Sequence, residues 1–330
     1  MTRLLIYEPS YDKIRAQLAA HGEALVPVLM DNAGQLTVGG ELVDVEAAAP
    51  DAAWLNAEVF ESQASRAFMV AVLKAPALKW AQSAAAGFDH PVFGQIAAKG
   101  ARLTISHGQA VGMADYVLAG VLDHFQNGPA RRAAQAQHAW RRPPCREILG
   151  SSWLIVGFGA IGKGVAERAR GFGARITGVR RTPGSDPLAG TIVSPDELVA
   201  QLPQADVVVL CAPLGPATRH LADAKFFAAM KDGSVLVNVG RGALVDETAL
   251  LAALDRGAPQ HAVLDVFDTE PLPADSPFWD HPQVSVTAHA SGVTGGQTQR
   301  NTELFLDNLE RFVSGRALLY EADPKDVLER

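Results

Sequence analysis

Short apolar runs alternate with longer amphipathic stretches through the first hundred residues of the chain. Five of the apolar runs have the length of strands, and they read RLLIYE, ALVPVL, AAWLNA, LKWAQSA and RLTIS. Between some of them lie stretches with helical character, YDKIRAQLAA and ASRAFMVAVLKA. Alternation of this kind is typical of a parallel sheet with helices on its faces. The pattern therefore predicts an α/β unit at the start of the chain.

A long helical stretch follows, and the alternation then restarts more clearly. The helical stretch runs from about residue 113 to residue 140 with a break at Gly128-Pro129, and residues 141–150 contain two adjacent prolines that end it. Beyond this point we expect six strands, in the runs SWLIVG, RITGV, DVVVLC, VLVNV, AVLDV and VSVTA. Six strands with intervening helices make one complete dinucleotide-binding unit.

Two helices in this half of the chain have clear signals. In SPDEL, Ser194 is a favourable cap, Pro195 suits the first turn, and Glu197 lies three residues after the cap. The last helix is predicted over about residues 295–314, because apolar residues recur there at helical spacing, at Leu304, Phe305, Leu309 and Phe312.

The first of the six strands runs directly into a glycine-rich turn. SWLIVGFGAIGKG places Gly157, Gly159 and Gly162 between a strand and a helix, the context in which GxGxxG binds a dinucleotide. Gly157 would permit the tight turn, Gly159 would let the backbone approach the pyrophosphate, and Gly162 would let the helix pack closely on the strand. The N–H groups at the start of the helix would bind the phosphates. A P-loop is excluded because it needs Ser or Thr where this chain has Gly164.

Two arginines stand where an acidic residue is expected for NAD. The strand ITGV ends on Arg180 and Arg181, followed by Thr182, at roughly the 20-residue distance from the glycines at which the ribose is recognised. An acid would accept hydrogen bonds from the ribose 2′-OH, whereas guanidinium groups pair with phosphate oxygens. These residues therefore predict NADP(H) as the preferred cofactor, with NAD possible. The alternative is a pair of solvated arginines at a sheet edge.

Composition narrows the classes of function. The 330 residues have a net charge of −7, and no basic run exceeds two residues, which disfavours nucleic-acid binding. The longest apolar run, VVVLCAPL, is far shorter than the ~18 residues of a membrane span. The apolar run near the start is too short for a signal peptide. Cys145 and Cys211 form neither a disulfide framework nor a metal-binding spacing. We expect a cytoplasmic protein without a metal, nucleic-acid or membrane partner.

Three segments after successive predicted strands carry residues suited to reduction of a carbonyl group. Arg241 lies in NVGRGALVDE, Asp265 and Glu270 lie in DVFDTEPLP, and His289 lies in VTAHASG. Each residue alone is ambiguous, since lone arginines and glutamates are usually solvated and a lone histidine is often a core residue. Because the segments should emerge at one edge of the sheet, together they predict a hydride-transfer site.

These motifs make the chain resemble the D-isomer-specific 2-hydroxyacid dehydrogenase family, which includes glyoxylate/hydroxypyruvate reductases, D-lactate dehydrogenases and phosphoglycerate dehydrogenases. GFGAIG, CAPLGPATRHL, NVGRGALVDE, DVFDTEPLP and TAHASG follow in the family's order, and SAAAGFDH and MADYVLAG also resemble family segments. The resemblance implies two doubly wound α/β domains of Rossmann or flavodoxin type with a cleft between them. Residues 1–103 and 291–330 would bind substrate, and residues 104–290 would bind NAD(P).

The resemblance also implies roles for individual residues. Arg241 would bind the substrate carboxylate and 2-oxo oxygen, and His289 would protonate that oxygen as hydride leaves the nicotinamide. Glu270 would hydrogen-bond the imidazole and stabilise its protonated form. The backbone of Ala86 and Gly87 would bind the substrate carboxylate. Further cofactor contacts would come from Ala160, Ile161, Ala212, Pro213, Val239, Gly240 and Asp265.

The function implied is NADPH-preferring reduction of glyoxylate or hydroxypyruvate by a homodimer. Residues 114–145 would form the dimer arm, with Trp140 either reaching the partner or packing within its own subunit. Ala288, where relatives often have proline, and the alanines of SAAAG depart from the family pattern. Because the alanines belong to the loop for the substrate carboxylate, reduction of bulkier 2-oxo acids, of D-lactate or phenyllactate type, stays open. Formate dehydrogenases have an amide where Glu270 stands, which disfavours that activity. A nucleotide-sensing transcriptional co-regulator is an alternative of another class, disfavoured by the full Arg, Glu and His set.

Overall fold

The computed structural model describes residues 1–88 and 90–328. Its strands are β1 (Thr2–Tyr7), β2 (Leu25–Met30), β3 (Leu36–Val38), β4 (Glu41–Val43), β5 (Ala52–Leu55), β6 (Trp80–Ser83), β7 (Arg102–Thr104), β8 (Ser152–Val156), β9 (Arg175–Val179), β10 (Thr191–Val193), β11 (Val207–Leu210), β12 (Val235–Asn238), β13 (His261–Leu264) and β14 (Val284–Val286). Its α-helices are α1 (Glu8–Leu18), α2 (Val45–Ala48), α3 (Ala57–Glu61), α4 (Ser65–Lys74), α5 (Pro91–Ala98), α6 (Ala110–Phe125), α7 (Gly128–Ala136), α8 (Ala160–Gly171), α9 (Leu198–Gln201), α10 (Ala224–Ala229), α11 (Glu247–Arg256), α12 (Gly295–Val313) and α13 (Pro324–Leu328).

The chain divides into two compact units. The first comprises Met1–Gly108 and Gly295–Arg330, and the second comprises Gln109–Thr294. Each unit contains one sheet with apolar cores on both of its faces. The prediction of two doubly wound α/β units is confirmed.

The first sheet has the strand order β4-β3-β2-β1-β5-β6-β7. The five strands predicted from the apolar runs form its parallel part, from β2 to β7. The order β2-β1-β5-β6-β7 is that of a flavodoxin-like sheet, in which helices cross over on both faces. Burial on both faces explains why these strands are almost continuously apolar.

A hairpin at the edge of this sheet departs from the wholly parallel arrangement that we expected. β3 and β4 are antiparallel, with Val38 paired to Glu41 across a two-residue turn of Gly39 and Gly40. Both glycines have positive φ, 60° and 89°, which tight hairpin turns require and side chains disfavour. The run LTVGGELV carries this hairpin signal, and the apolar pattern alone did not reveal it because each strand has only three residues.

The last long helix, α12, completes the first unit. The Phe305 ring stacks on the indole of Trp54 with 4.2 Å between centroids, and Trp80 lies beside it. Phe305 and Leu309, from the predicted apolar stripe, are fully buried. The end of the described chain therefore returns to close the core begun by the first strands.

The second sheet is parallel throughout, in the order β10-β9-β8-β11-β12-β13-β14. Its first six strands have the order of a dinucleotide-binding fold, and β14 extends it by one strand. All six predicted strands are present. β10 was not predicted, because a three-residue run after a loop has no recognisable period.

The helices of this unit differ from the predictions in detail. The Ser194 N–H donates to Glu197 Oε2 at 3.0 Å, as a capping box requires, but the turn that follows is 3₁₀ and α9 has only four residues. The helical stretch predicted over residues 113–140, with a break at Gly128-Pro129, is observed as α6 and α7. The break falls at Asn127, whose φ is 55°, and α7 ends at Ala136 rather than near residue 140. No helix in the described part of the chain combines the length and the hydrophobicity needed to cross a bilayer.

Candidate active site

The glycine loop between β8 and α8 has the shape of a dinucleotide cradle. Gly157 has a φ of 96°, and a Cβ there would lie 2.4 Å from the backbone nitrogen of Ala212. A Cβ on Gly162 would lie 2.5 Å from the Gly157 carbonyl oxygen, so only glycine allows α8 to pack this closely. Gly159, by contrast, borders open space. The first and third glycines are therefore required by packing, and the second leaves the backbone accessible.

The start of α8 offers N–H groups to an anion. Gly159 is the N-cap residue and has no side chain to supply a cap, and the helix begins at Ala160. The N–H groups of Ala160, Ile161 and Gly162 have no acceptor within the helix, because the first-turn donors precede the first intrahelical bond. The first such bond is from Lys163 to Gly159, at 2.8 Å. Together with the open space at Gly159, this arrangement fits the pyrophosphate of a dinucleotide.

The end of β9 carries the predicted basic residues. The N–H groups of Gly157 and Phe158 both donate to the Val179 carbonyl at 3.0 Å, so the glycine loop is tied to this strand end. Arg180 follows directly, and its Nε donates to the Thr182 carbonyl at 2.8 Å. Arg181 and Thr182 are exposed. A guanidinium therefore stands beside the phosphate loop where the ribose of a dinucleotide is recognised.

An acidic residue that the sequence analysis missed also lies at this strand end. Asp186 Oδ2 is 2.9 Å from Lys163 Nζ and 3.9 Å from Arg180 Nη1. Its Oδ1 accepts the Leu188 N–H at 3.1 Å. The hydrogen bond from Lys163, followed by that from Leu188, lowers the pKa of the Asp186 carboxyl. Linear distance from the glycines could not identify this residue, because it returns to the site from the following loop.

Arg241 lies in a tight turn after β12. Asn238, the last strand residue, donates from Nδ2 to the Arg241 carbonyl at 2.9 Å and accepts the Gly240 N–H at 3.1 Å. The Arg241 Nη1 donates to the Gly240 carbonyl at 2.7 Å. A Cβ on Gly242 would lie 1.8 Å from the Phe267 carbonyl carbon. Gly242 is therefore required because the backbone of Phe267 lies too close for a side chain. Asn238 holds the turn through its two hydrogen bonds to the backbone of Gly240 and Arg241.

Glu270 and His289 are in direct contact. Glu270 Oε2 lies 2.7 Å from His289 Nδ1, and Glu270 Oε1 accepts the Phe267 N–H at 2.9 Å. The backbone bond orients the carboxylate, and the carboxylate orients the imidazole. Because Nδ1 is engaged by Glu270, Nε2 is the ring nitrogen left to exchange a proton. Half of the imidazole is exposed, so a substrate can reach it.

The loop that carries His289 is built around a buried carboxylate. His289 has a φ of 50°, and its N–H donates to the Asp265 carbonyl at 2.7 Å. The Asp265 side chain is fully buried and accepts hydrogen bonds from Thr287 Oγ1 at 2.6 Å, Ala290 N at 2.9 Å and Ser291 N at 3.0 Å. Asp265 was predicted to contact the cofactor. The contacts observed make it the anchor of the histidine loop.

Helix α6 supports the same network through Tyr116. The Tyr116 hydroxyl is 2.7 Å from Thr287 Oγ1. Burial, opposed by the Thr287 hydrogen bond and assisted by the Asp265 charge, raises the pKa of Tyr116 to about 12. Tyr116 therefore stays neutral as part of the scaffold. Tyr116 and Thr287 were not identified from the sequence, since nothing in their local sequence distinguishes them from other core positions.

The remaining predicted residues are placed as follows. Ala212 and Pro213 follow β11, and Val239 and Gly240 follow β12. With the glycine loop, the arginines, Arg241, Glu270 and His289, they all belong to the second unit, after strands of its parallel sheet. In the described chain, no group of three His, Cys, Asp or Glu residues could hold a metal ion.

Ala86 and Gly87 belong to the first unit. They follow β6 in a loop where the Ala85 N–H donates to Ser83 Oγ at 3.0 Å and the Ser106 N–H donates to the Ala85 carbonyl at 3.1 Å. The motif SAAAGFDH also includes Asp89, which lies outside the described residues.

The predicted dimer arm contains Trp140. Its side chain is 91% exposed. This exposure contradicts the alternative that the tryptophan packs within its own subunit, and contact with a partner stays a prediction.

Comparison with known proteins shows similarity to one enzyme family. The sequence model of the D-isomer specific 2-hydroxyacid dehydrogenase, NAD binding domain, matches residues 118–291. The chain is 34% identical over 218 residues to (S)-sulfolactate dehydrogenase from Chromohalobacter salexigens, covering 65% of this chain and 71% of that protein. It is 40% identical over 197 residues to 4-methyl-2-oxopentanoate reductase A from Aspergillus oryzae, covering 58% and 57% of the two chains. The match thus spans little more than half of the Aspergillus protein.

The fold is also shared with solved structures. One is an NADPH-dependent glyoxylate/hydroxypyruvate reductase from Sinorhizobium meliloti, determined in complex with NADP and sulfate. It has a TM-score of 0.77 and 25% sequence identity, and the match covers 98% of each chain.

Proposed function

Because the chain belongs to the D-isomer specific 2-hydroxyacid dehydrogenase family and is thus an oxidoreductase, we propose that it reduces small 2-oxo acids to 2-hydroxy acids. Glyoxylate and hydroxypyruvate are the proposed substrates, and NADPH is the preferred cofactor. The observation that carries this proposal is the 2.7 Å contact between Glu270 and His289. His289 lies in the loop after β14, and β14 belongs to the same sheet as β8, the strand that leads into the glycine loop. A carboxylate-bound imidazole after the last strands of a dinucleotide-binding sheet is suited to proton transfer coupled to hydride transfer.

A reduced dinucleotide held by the glycine loop and the start of α8 would supply a hydride to the carbonyl carbon of the substrate. His289 Nε2 gives its proton to the carbonyl oxygen, which becomes the hydroxyl of the product. Glu270 stabilises the positive imidazolium before that transfer and keeps Nε2 directed outward. Arg241 binds the substrate carboxylate and polarises the carbonyl through charge-assisted hydrogen bonds. In the reverse direction, neutral His289 accepts the hydroxyl proton.

The preference for NADPH rests on the basic end of β9. Arg180, Arg181 and Thr182 stand where an acid would otherwise bind the ribose 2′-OH. Guanidinium groups favour a 2′-phosphate, and the Sinorhizobium relative is NADPH-dependent by its description. NADH is expected to serve as the weaker cofactor.

We also propose the roles of the two units and the oligomeric state that the family resemblance implies. The second unit binds the cofactor, the first unit contributes the backbone of Ala86 and Gly87 to carboxylate binding, and the enzyme is a homodimer. The exposed Trp140 supports a partner contact, because a fully exposed indole is unusual on a free surface.

A reductase of bulkier 2-oxo acids is the second candidate. Its support is the 40% identity over 197 residues with 4-methyl-2-oxopentanoate reductase A. A sensor with little catalysis is disfavoured by the intact Glu270–His289 pair.

A substrate panel tests the proposal. We expect kcat/KM to be highest for glyoxylate or hydroxypyruvate and lower for pyruvate, 4-methyl-2-oxopentanoate and phenylpyruvate, with each acid assayed with NADPH and with NADH. A higher kcat/KM for 4-methyl-2-oxopentanoate or phenylpyruvate would establish the second candidate. Tight NADPH binding without turnover of any 2-oxo acid would contradict both enzymatic candidates.

A further inference from the structure

Lys163, Arg180 and Asp186 form a charged cluster next to the glycine loop. Lys163 belongs to the first turns of α8, Arg180 follows β9, and Asp186 lies in the loop between β9 and β10. One carboxylate oxygen, Asp186 Oδ2, faces both cations, at 2.9 Å from Lys163 Nζ and 3.9 Å from Arg180 Nη1. Both cations therefore share a single counter-charge at the end of the sheet where the ribose is recognised.

We propose that Asp186 limits the preference for NADPH over NADH, by neutralising cations that would otherwise attract the 2′-phosphate. This inference rests on the proposed use of NADPH. In this arrangement Asp186 is a specificity-determining residue that acts by repulsion, and it offsets part of the selectivity supplied by the arginines. Specificity is set by repulsive elements as well as by attractive ones.

The carboxylate is fixed in place. Its side chain is only 6% exposed, and Oδ1 accepts the Leu188 N–H at 3.1 Å. The Asp186 carbonyl accepts the Ala189 N–H at 3.1 Å, which closes the loop on itself. The bond from the Leu188 N–H to Oδ1 holds the carboxylate beside the two cations when a second anion approaches. The carboxylate therefore competes with the 2′-phosphate for the same cations.

Asp186 could instead help NADPH binding by orienting Arg180, so the two effects must be compared. The Asp186–Arg180 separation of 3.9 Å is too long for a hydrogen bond, and Arg180 is independently held by its 2.8 Å bond from Nε to the Thr182 carbonyl. The close contact is with Lys163, whose half-exposed flexible side chain gains reach when released. Removal of the charge should therefore free Lys163 while leaving Arg180 oriented, and neutralisation is the larger effect.

The variant Asp186→Asn separates charge from shape. Asparagine has the same size and keeps an oxygen to accept the Leu188 N–H, so the loop is retained. We would titrate the full-length protein by calorimetry with 2′,5′-ADP, which carries the 2′-phosphate, and with 5′-AMP, which lacks it. The expected Kd for 2′,5′-ADP falls about three- to thirtyfold, as the loss of one repulsive charge at a partly exposed site implies. The Kd for 5′-AMP should change less than about twofold, since AMP has no 2′-phosphate for the Asp186 carboxylate to repel.

Asp255→Asn is the matched control. Asp255 is an exposed acid in the last turn of α11, so its substitution changes the net charge equally at a site outside the cluster. Both ligands should bind this variant as they bind the wild type. In addition, Lys163→Met should weaken 2′,5′-ADP binding more in the Asp186→Asn background than in the wild type, because Lys163 can bind the 2′-phosphate only after it is released from Asp186.

Two results would contradict the reasoning, one for the role of Asp186 and the other for the proposed NADPH preference. If Asp186→Asn weakens 2′,5′-ADP binding, or leaves the ratio of the two Kd values unchanged, the inference about Asp186 is wrong. If the wild type binds 5′-AMP as tightly as 2′,5′-ADP, the proposed NADPH preference is wrong. In that second case, a preference that appears in Asp186→Asn still supports the role of Asp186.

Discussion

Two stacked histidines in the second unit make its stability sensitive to acid. His261 in β13 and His124 in α6 lie with ring centroids 4.5 Å apart and planes 15° apart, and His261 Nε2 is 3.0 Å from Ser285 Oγ. Burial lowers the pKa of His261 to about 4, and repulsion from His124 and His281 adds to this, against attraction by Asp123. Burial, and the charge of Arg146, also lower the pKa of His124.

The sign and size of the effect follow from linkage. Because the folded pKa of His261 lies below the unfolded one, the folded state binds fewer protons, and stability falls as pH falls between about 6.5 and 4. Each unit of pKa difference corresponds to about 1.4 kcal/mol of unfolding free energy. Between pH 7.5 and pH 5, His261 should therefore cost the folded state about 2 kcal/mol, most of it below pH 6.5.

The perturbation is His261→Gln, which keeps an amide to hydrogen-bond Ser285 but does not titrate. Urea-induced unfolding of the full-length protein, followed by circular dichroism at pH 7.5, 6.5, 5.5 and 5.0, gives the unfolding free energy at each pH. We expect the variant to be less stable at pH 7.5, because it loses the ring stack, and to lose up to about 2 kcal/mol less than the wild type on going to pH 5.

The exposed His138 supplies the control, since His138→Gln removes an imidazole without touching the stack. Its pH dependence should follow that of the wild type. If His261→Gln and the wild type lose the same free energy between pH 7.5 and pH 5, burial of the neutral imidazole does not account for the acid sensitivity.

Two further predictions concern the candidate site. His289→Asn should lower kcat by about 10²–10⁴-fold and leave the Kd of the cofactor little changed. The control is His220→Asn, which should keep full activity, because His220 has the same left-handed φ as His289 and asparagine tolerates it. If His289→Asn and His220→Asn have equal kcat values, His289 does not transfer the proton. Gly162→Ala should weaken NADPH binding at least about tenfold, because its Cβ would lie 2.5 Å from a backbone oxygen and must push the glycine loop apart. The control in the same helix is Gly171→Ala, whose Cβ would have no atom within 4 Å, so this variant should bind NADPH normally. The Kd is measured by fluorescence titration. An unchanged Kd in Gly162→Ala would show that the loop tolerates the methyl group.

Features whose cause is local were predictable from the sequence. The apolar runs identify the strands because a parallel sheet buries both faces, so each strand is apolar along its length. GxGxxG between a strand and a helix identifies the phosphate loop, and the structure shows that Gly157 and Gly162 have no room for a side chain. Arg241, Glu270 and His289 could be singled out as candidates because each follows a strand of the same parallel sheet, and the structure places Glu270 against His289.

Features that depend on contacts between distant segments were decided by the tertiary structure. Asp186 faces Lys163 only because the loop after β9 turns back toward α8. The role of Asp265 as the anchor of the histidine loop depends on Thr287 and Tyr116, which come from other elements and have no local pattern that marks them. The acid-sensitive stack of His124 on His261 is of the same kind. A sequence determines which groups are present and which backbone shapes are allowed, whereas charges and hydrogen bonds act over a few ångströms of space and therefore depend on how the chain folds back on itself.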